Sequence, residues 1–445
     1  MMRFLRSHAV AVALVVAPVL LAPARHTVAA QRVSDTTTTE FDVSGVKVLL
    51  RRNTANDVVA ANLYLLGGTR QLTEQTQGIE VLLLAATERG TRRYPGEKAR
   101  LAIAQTGGTI EIGPGVDWTV FGLRALRGTL DSSWSVFADR LMNPTLDSME
   151  IELVRSQLLA GARQSRTAPD AEVESLADSL LFAGHPYALD PTGTERSLAS
   201  ITRAQLRAYQ QGQMVKSRML LVVVGNVDRA AVTRLVQGTL ATLPQGTYAW
   251  SQQKDLTPLP GRLAIERQSL PTNYVLGYFV GPRAGTHDYD AMRVASAILG
   301  GRLFTEVRSK RNLTYSVESP FLERAIGVGG IFITTVAPRE AMVVIRSEIQ
   351  KLQTELVEEE GLHQLVLQFL TDYFMKNETN GDQANFLARS YLFTGKVSTA
   401  TSFEDALRRV SPEDVRRVAQ RYMRDMRFAY VGDTKLVPTD LLSRF

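Results

Sequence analysis

Residues 78–91 read GIEVLLLAATERGT, and this stretch determines how the fold of the chain is interpreted. Its apolar residues recur at helical spacing and predict a helix over residues 78–90. Val81, Leu84 and Ala85 lie at the i, i+3 and i+4 positions that share one helical face. Valine, leucine and alanine can pack, but they cannot bind a divalent metal or transfer a proton. The stretch therefore predicts a helix that contributes to a core and performs no chemistry itself.

Composition places the chain among soluble globular proteins with more than one core. It has 445 residues, 44% of them hydrophobic and 22% charged, and at roughly 150 residues per domain we expect two or three domains. The chain contains no cysteine, which excludes disulfides, cysteine nucleophiles and thiolate metal sites. The formal net charge of +6 is spread over both signs without a basic cluster interleaved with aromatics. Nucleic acid is therefore not expected as a partner.

Residues 1–30 have the layout of a secretory signal peptide. Arg3 and Arg6 precede an apolar run over residues 9–21, and the small-residue stretch TVAA at 27–30 offers a cleavage site. The run is too short for a transmembrane helix. We expect a periplasmic or secreted protein that has no membrane attachment after cleavage, with an uncleaved anchor as the alternative.

The order of strand and helix patterns predicts two α+β domains related by duplication, each a mostly antiparallel sheet with packed helices. The first spans residues 31–243 and the second 263–445. Residues 244–262 contain three prolines and no periodicity, which is typical of a linker. Both domains end alike, with a helix leading to a strand: SITRAQLRAYQ before LLVVVGNVD, and RVSPEDVRRVAQRY before FAYVGD.

Motifs for independent catalysis are absent. Beyond the leader the histidines are His185, His287 and His363, and none has a second histidine three or four residues away, as a zinc-binding helix would. His185, in GHPY, is interpreted as a turn or packing residue. There is no Gly-x-Ser-x-Gly elbow, and GVGG at 327–330 leads into a strand, where glycines allow close packing.

The frame GGTR…GIEVLLLAATERGT resembles the active-site region of the pitrilysin/insulinase-type zinc metallopeptidases, the family that includes the mitochondrial processing peptidase. The resemblance implies that the two zinc-binding histidines fall on Val81 and Ala85 and the general-base glutamate on Leu84. The third ligand, a glutamate on a later helix, falls on Gly161. All four polar groups are missing, so we expect no cofactor in this chain. The segment at residues 184–210 is also typical of the family's first domain.

A second segment, LGGRLFTEVRSKRNLTYSVESPF at residues 299–321, is similar to the one that brings an arginine and a tyrosine to the substrate in this family. The resemblance selects Arg308, from the last turns of a helix, and Tyr315, from the strand that follows. Asn312 replaces a usual glycine and is suited to a left-handed helix terminus. Alternatively, Arg308 makes a helix-end salt bridge and Tyr315 packs in a sheet.

Some bacterial members of this family divide the work between two chains that close like a clamshell, one with the zinc motif and one with the arginine and tyrosine. The sequence resembles the second kind. The resemblance implies an exported subunit that supplies Arg308 and Tyr315 to a zinc-bearing sibling, which hydrolyses peptides or unfolded protein segments. The alternatives are a catalytically inactive scaffold or peptide-binding protein of the same fold, and an autonomous enzyme with an unrecognised site.

Overall fold

Two six-stranded sheets organise the computed structural model, which describes residues 38–251 and 254–445 without the side chains of residues 165–167. The predicted signal peptide lies outside the described residues. The strands of the first sheet are β1 (Thr38–Val43), β2 (Val46–Arg52), β3 (Val58–Leu66), β4 (Thr109–Gly113), β5 (Trp118–Leu126) and β6 (Met219–Gly225). Their order across the sheet is β1-β2-β6-β3-β5-β4. Only β2 and β6 run parallel, with Leu49 opposite Val222, and every other neighbouring pair is antiparallel.

The second sheet repeats this arrangement. Its strands are β7 (Leu263–Arg267), β8 (Asn273–Arg283), β9 (Val317–Glu318), β10 (Phe321–Leu322), β11 (Ile326–Thr335) and β12 (Arg427–Gly432). Their order is β10-β11-β8-β12-β7, with the short β9 also paired to β11. β7 and β12 form the parallel pair, as β2 and β6 do in the first sheet. The predicted α+β fold of two repeated halves is confirmed.

Helices connect and cover the sheets. Those before the second sheet are α1 (Ile79–Ala86), α2 (Lys98–Gln105), α3 (Leu130–Met142), α4 (Ser148–Thr167), α5 (Pro169–Leu181), α6 (Glu195–Ser200), α7 (Arg203–Gln213) and α8 (Arg229–Gln237). Those that follow are α9 (His287–Leu303), α10 (Pro338–Thr354), α11 (Glu359–Lys376), α12 (Asn380–Thr394), α13 (Ser398–Thr401), α14 (Phe403–Arg408), α15 (Pro412–Tyr422) and α16 (Thr439–Leu442). None of the helices in the described part of the chain combines the length and apolarity needed to cross a membrane.

Local sequence explains several of these boundaries. Thr202 begins α7 with a capping box, in which its hydroxyl accepts from the Gln205 backbone N–H while the Gln205 side chain accepts from the Thr202 N–H. Ser411 and Asp414 cap α15 in the same way. The glycines of GVGG lie within β11, where a Cβ on Gly329 would overlap the Phe279 ring. The interpretation of these glycines as close-packing residues is confirmed.

Both faces of each sheet are buried at its central strands, whereas edge strands such as β4 and β7 are largely exposed. Along β3, Leu63 and Leu65 face the main core of the first half, whereas Tyr64 and Leu66 face a separate apolar cluster. This alternation follows from the period of two in a strand. In the second sheet, Phe428 and Tyr430 of β12 likewise face one core, and Ala429 and Val431 face another.

The second face of each sheet is covered by a helix from the other half of the chain. Helix α12, from the C-terminal half, packs on β3 and β6, and Leu387 and Leu392 contribute to that cluster. Helix α5, from the N-terminal half, packs on β8 and β12 through Val173, Ala177 and Leu181. The halves therefore exchange one helix each. The domain division at residues 243 and 263 stays a prediction.

A polar seam fixes α12 on the first sheet. The Asn385 side-chain oxygen accepts hydrogen bonds from Asn62 Nδ2 at 2.9 Å and from the Tyr64 hydroxyl at 2.6 Å. At the start of the helix, Asn380 Nδ2 donates to the carbonyl oxygen of Val58 at 2.6 Å. These bonds satisfy polar groups buried at the interface and set the register of the helix.

Splitting the chain after residue 251 tests this exchange. We expect residues 38–251 expressed alone to aggregate or bind a hydrophobic dye, because the Tyr64 face of the first sheet loses α12. Coexpression with residues 252–445 should restore a soluble, cooperatively unfolding complex. Circular dichroism and size-exclusion chromatography measure both results. An N-terminal fragment that is monomeric and unfolds cooperatively by itself would contradict the exchange.

Candidate functional site

Helix α1 places the three apolar motif positions in the protein interior. Gly78 precedes the helix with a φ of 79°, and a Cβ there would lie 2.8 Å from the Cα of Gly193, so the crossing of the two loops requires glycine. Leu84 is fully buried within the main core, and Val81 is buried. Ala85 is partly buried against that core. These side chains fill space and present no ligand or base.

Gly161 is in a different setting. It lies on α4, which packs against α1, and is exposed to solvent. No side chain or other part of the backbone lies within 4 Å of where its Cβ would be. Among the described residues there is no group of three or more His, Asp or Glu side chains placed to hold a metal ion.

The two positions predict opposite responses to glutamate. Leu84→Glu should lower the free energy of unfolding by about 3 kcal/mol or more, because it buries a carboxylate without a partner. Gly161→Glu is the matched control and should raise it by about 0.5 kcal/mol, because glycine is unfavourable in an exposed helix interior. Chemical denaturation of both variants measures the difference. Equal effects would show that Leu84 is not part of the core.

A buried ion pair on α1 was not predicted from the sequence. Glu80 Oε2 lies 3.1 Å from Arg218 Nη2 and accepts a hydrogen bond from the Tyr209 hydroxyl at 2.9 Å. Arg218 also donates to the carbonyl oxygens of Leu66 and Gln213, at 2.7 and 3.2 Å. The only signal in the sequence was a single charge within an apolar helix.

The pKa shifts in this cluster fit a role in stabilising the fold. Burial, together with the Glu80 carboxylate, raises the pKa of Tyr209 well above its ordinary value. Burial alone would lower the pKa of Arg218, but Glu80 and Tyr209 together outweigh it and the pKa is raised. Glu80 is thus held in a closed network and is not available as a general base.

Removing one member of the pair should be costly. Arg218→Met leaves the Glu80 carboxylate buried without its cation, and we expect it to lower the free energy of unfolding by about 3–5 kcal/mol. The double variant Glu80→Met/Arg218→Met should recover more than half of that loss. Urea denaturation of the two single variants and the double variant measures the coupling energy. Additive losses would contradict an energetically coupled pair.

Arg308 and Tyr315 lie together on the surface of the second half. Helix α9 continues into a π-helical turn, Phe304–Ser309, a form that often occurs at functional sites. The Arg308 guanidinium carbon lies 4.8 Å from the Tyr315 ring centroid and 5.1 Å from that of Phe304. Tyr315 is 82% exposed. The structure therefore presents an arginine between two aromatic rings.

The prediction that Tyr315 lies in a strand is wrong. Asn312 adopts the predicted left-handed conformation, with a φ of 51°, and the chain stays irregular until β9 begins at Val317. The Thr314 hydroxyl lies within hydrogen-bonding distance of the carbonyl oxygens of Ser316 and Thr334, at 2.7 and 2.5 Å, and so ties this irregular segment to β11 through a side chain. Tyr315 therefore projects from a loop.

Arg308 makes no ion pair with any of the described residues, so the alternative of a helix-end salt bridge is not observed. The nearby carboxylate of Glu306 is occupied by Lys310 and Arg311, each at 2.7 Å. Hydrogen bonds from these two residues lower the pKa of Glu306 to about 2. The guanidinium of Arg308 consequently keeps its hydrogen-bonding groups for an external acceptor.

Comparison with known families agrees with the motif frame. Residues 47–194 match the model described as insulinase, peptidase family M16, and residues 200–369 match the model described as the peptidase M16 inactive domain. The chain belongs to peptidase family M16. Among curated M16 relatives, the mitochondrial-processing peptidase subunit beta of Lentinula edodes is 21% identical, over 87% of both chains. An uncharacterized zinc protease of Mycobacterium leprae is 29% identical, over 38% of this chain and 40% of that protein.

Solved structures share the M16 fold. A peptidase M16 inactive domain from Pseudomonas fluorescens gives a TM-score of 0.81 at 21% identity, covering 89% of this chain and 98% of that one. A chain of complex III2 from Candida albicans gives 0.77 at 17%, covering 91% and 99%. The periplasmic protease PqqL of Escherichia coli gives 0.76 at 14%, covering 89% of this chain and 45% of that one. This M16 chain thus has the fold of the family, and the assignment of Val81, Leu84, Ala85 and Gly161 to the zinc-motif positions stays a prediction.

Proposed function

We propose that this chain is the zinc-free subunit of an exported, heteromeric M16 peptidase and that it supplies Arg308 and Tyr315 to a zinc-bearing sibling. The observation that carries the proposal is the exposed Tyr315 beside the half-buried Arg308, whose guanidinium has no acceptor in the described part of its own chain. An exposed aromatic ring and an unpaired guanidinium suit a surface that meets a substrate or another chain. Because the predicted zinc-motif positions on α1 carry no metal ligand or base, the chemistry would need a partner.

Each side chain has a role that fits its chemistry. The Arg308 guanidinium can donate to a peptide carbonyl oxygen or carboxylate of the substrate and so hold the peptide in place. The Tyr315 hydroxyl can donate to the oxygen that becomes negative when the peptide carbonyl is attacked. Zinc, bound to the sibling, would supply the activated water and polarise that carbonyl. The substrate would be a peptide or an unfolded protein segment.

Related proteins support the assembly and the location. M16 family members form multi-subunit assemblies, as the mitochondrial-processing peptidase subunit beta and the chain of complex III2 illustrate. Export is proposed from the signal-peptide layout of residues 1–30, and PqqL is a periplasmic protease of the same fold.

Peptide hydrolysis by the chain alone, by a sibling with an intact His-x-x-Glu-His motif, and by their mixture tests the proposal. We expect activity only in the mixture and its loss on chelation of zinc. Tyr315→Phe, which removes only the hydroxyl, should lower kcat about 10²–10³-fold. Arg308→Ala should lower kcat/KM about 10–100-fold by losing a charge-assisted hydrogen bond. Arg302→Ala, which removes the same charge six positions earlier, is the control.

Three results would redirect the assignment. A sibling that needs this chain but is unaffected by both substitutions would make the chain a scaffold. Peptide binding by the chain alone, without stimulation of the sibling, would make it a peptide-binding protein. Zinc-independent turnover by the isolated chain would make it an autonomous enzyme.

A further inference from the structure

A cleft of about 570 Å³ lies away from both α1 and the Arg308 segment. Its walls come from Arg70, from the turn around His185 and from residues 254–259. Ala183, Pro186, Leu256 and Leu259 give these walls apolar patches. The volume falls within the range of pockets that hold small ligands.

Arg70 offers one free edge of its guanidinium to this cleft. Its Nη1 donates to the Ser251 carbonyl oxygen at 2.7 Å, and its guanidinium carbon lies 4.8 Å from the Trp250 ring centroid. Nε and Nη2 are both buried and have no hydrogen-bond partner among the residues that the structure describes. These two N–H groups lie on the same edge of the planar guanidinium and point in parallel, which matches the two oxygens of a carboxylate.

His185 adds a third unused donor. Its Nδ1 accepts a hydrogen bond from the Tyr187 backbone N–H at 3.2 Å, so in the neutral ring the proton resides on Nε2. Nε2 is buried and finds no hydrogen-bond partner in the described part of the chain. Burial and the charge of Arg70 lower the pKa of His185, which keeps the ring neutral at pH 7 and Nε2 a donor.

The charges around the cleft leave these donors uncompensated. Asp255 is the one acidic residue among the described residues that line it, and this exposed side chain forms an ion pair with Arg283 at 2.7 Å. Lys254 adds a further positive charge at the cleft. A buried N–H without an acceptor costs about 1–3 kcal/mol, so three of them in one cleft indicate that an acceptor binds there.

We propose that this cleft binds a carboxylate group, held side-on by Arg70 Nε and Nη2 and by His185 Nε2. The body of the ligand lies along the apolar wall formed by Leu256 and Leu259. The source of the carboxylate is either the C-terminal end of a peptide or a small organic acid. The site goes beyond the proposed peptidase function and requires neither zinc nor a sibling chain.

Four probes, titrated into the purified full chain, test the site. They are an N-acetylated tripeptide with a free C-terminal carboxylate, the same tripeptide as its C-terminal amide, succinate and inorganic phosphate. Binding is followed by calorimetry and by tryptophan fluorescence, because Trp250 stacks on Arg70. We expect at least one carboxylate probe to bind and the amide to bind about tenfold more weakly than the free acid, or not at all.

Two substitutions locate the binding. Arg70→Gln should weaken the carboxylate probe at least about tenfold. His185→Asn keeps an acceptor for the Tyr187 N–H but removes the Nε2 donor, and it should weaken binding about fivefold even if Arg70→Gln does not fold. Arg234→Gln, at an exposed ion pair with Asp131, is the control and should leave affinity unchanged.

The pattern of probes decides the outcome. Tripeptide binding supports the site and identifies a peptide end, whereas succinate binding alone supports it with a small organic acid as the ligand. The proposal is overturned if the acid and amide forms bind equally, if phosphate binds in preference to both carboxylates, or if no probe binds at millimolar concentration. Unchanged affinity in both Arg70→Gln and His185→Asn would also overturn it.

Discussion

Burial of both faces of both sheets is the constraint on which the rest of this structure depends. A strand such as β6, Met219–Gly225, is buried along its entire length and needs cover on each side. Local helices cover one face, and α12 and α5, exchanged between the halves, cover the other. Polar groups at these contacts, such as Asn385 against Asn62 and Tyr64, have to find partners there because water is excluded. The two halves thus repeat one fold, and each half depends on a helix from the other to cover its sheet.

The two segments that resemble family motifs, on α1 and after α9, differ in how they are placed in the structure. On α1 the positions predicted to correspond to the zinc motif are packing residues, with Leu84 inside the core, and Glu80 forms an ion pair with Arg218. On the loop after α9 the opposite holds, because Arg308 and Tyr315 are presented outward and lack an acceptor in the described part of the chain. Apolar side chains on a buried helix stabilise the fold, whereas an exposed tyrosine contributes little to folding. The α1 positions therefore serve packing, whereas the Arg308–Tyr315 segment is a surface available for binding.

The elements of this fold could be predicted from residues close in sequence, whereas contacts between residues far apart in sequence could not. The capping box at Thr202 and the left-handed Asn312 both follow from residues close in sequence, and the second was predicted. Tyr315 was placed in a strand because its residue pattern suits one, but after the left-handed Asn312 the segment meets β11 partly through the Thr314 side chain, and the strand begins only at Val317. The exchange of α5 and α12 could not be read locally, since an apolar helical face does not specify its partner. Arg70 and His185 were visible within GGTR and GHPY, yet only tertiary folding brings them to one cleft.

The helix exchange also sets the order in which the molecule can be completed during synthesis. The last strand of the first sheet ends at Gly225, but the helix that covers its second face begins only at Asn380. At a synthesis rate of roughly 5–20 residues per second, an apolar sheet face waits on the order of ten seconds for its cover. Such a delay, with contacts between residues distant in sequence, favours slow folding and exposure to aggregation. A chain built in this way benefits from being held unfolded until its C-terminal half is available.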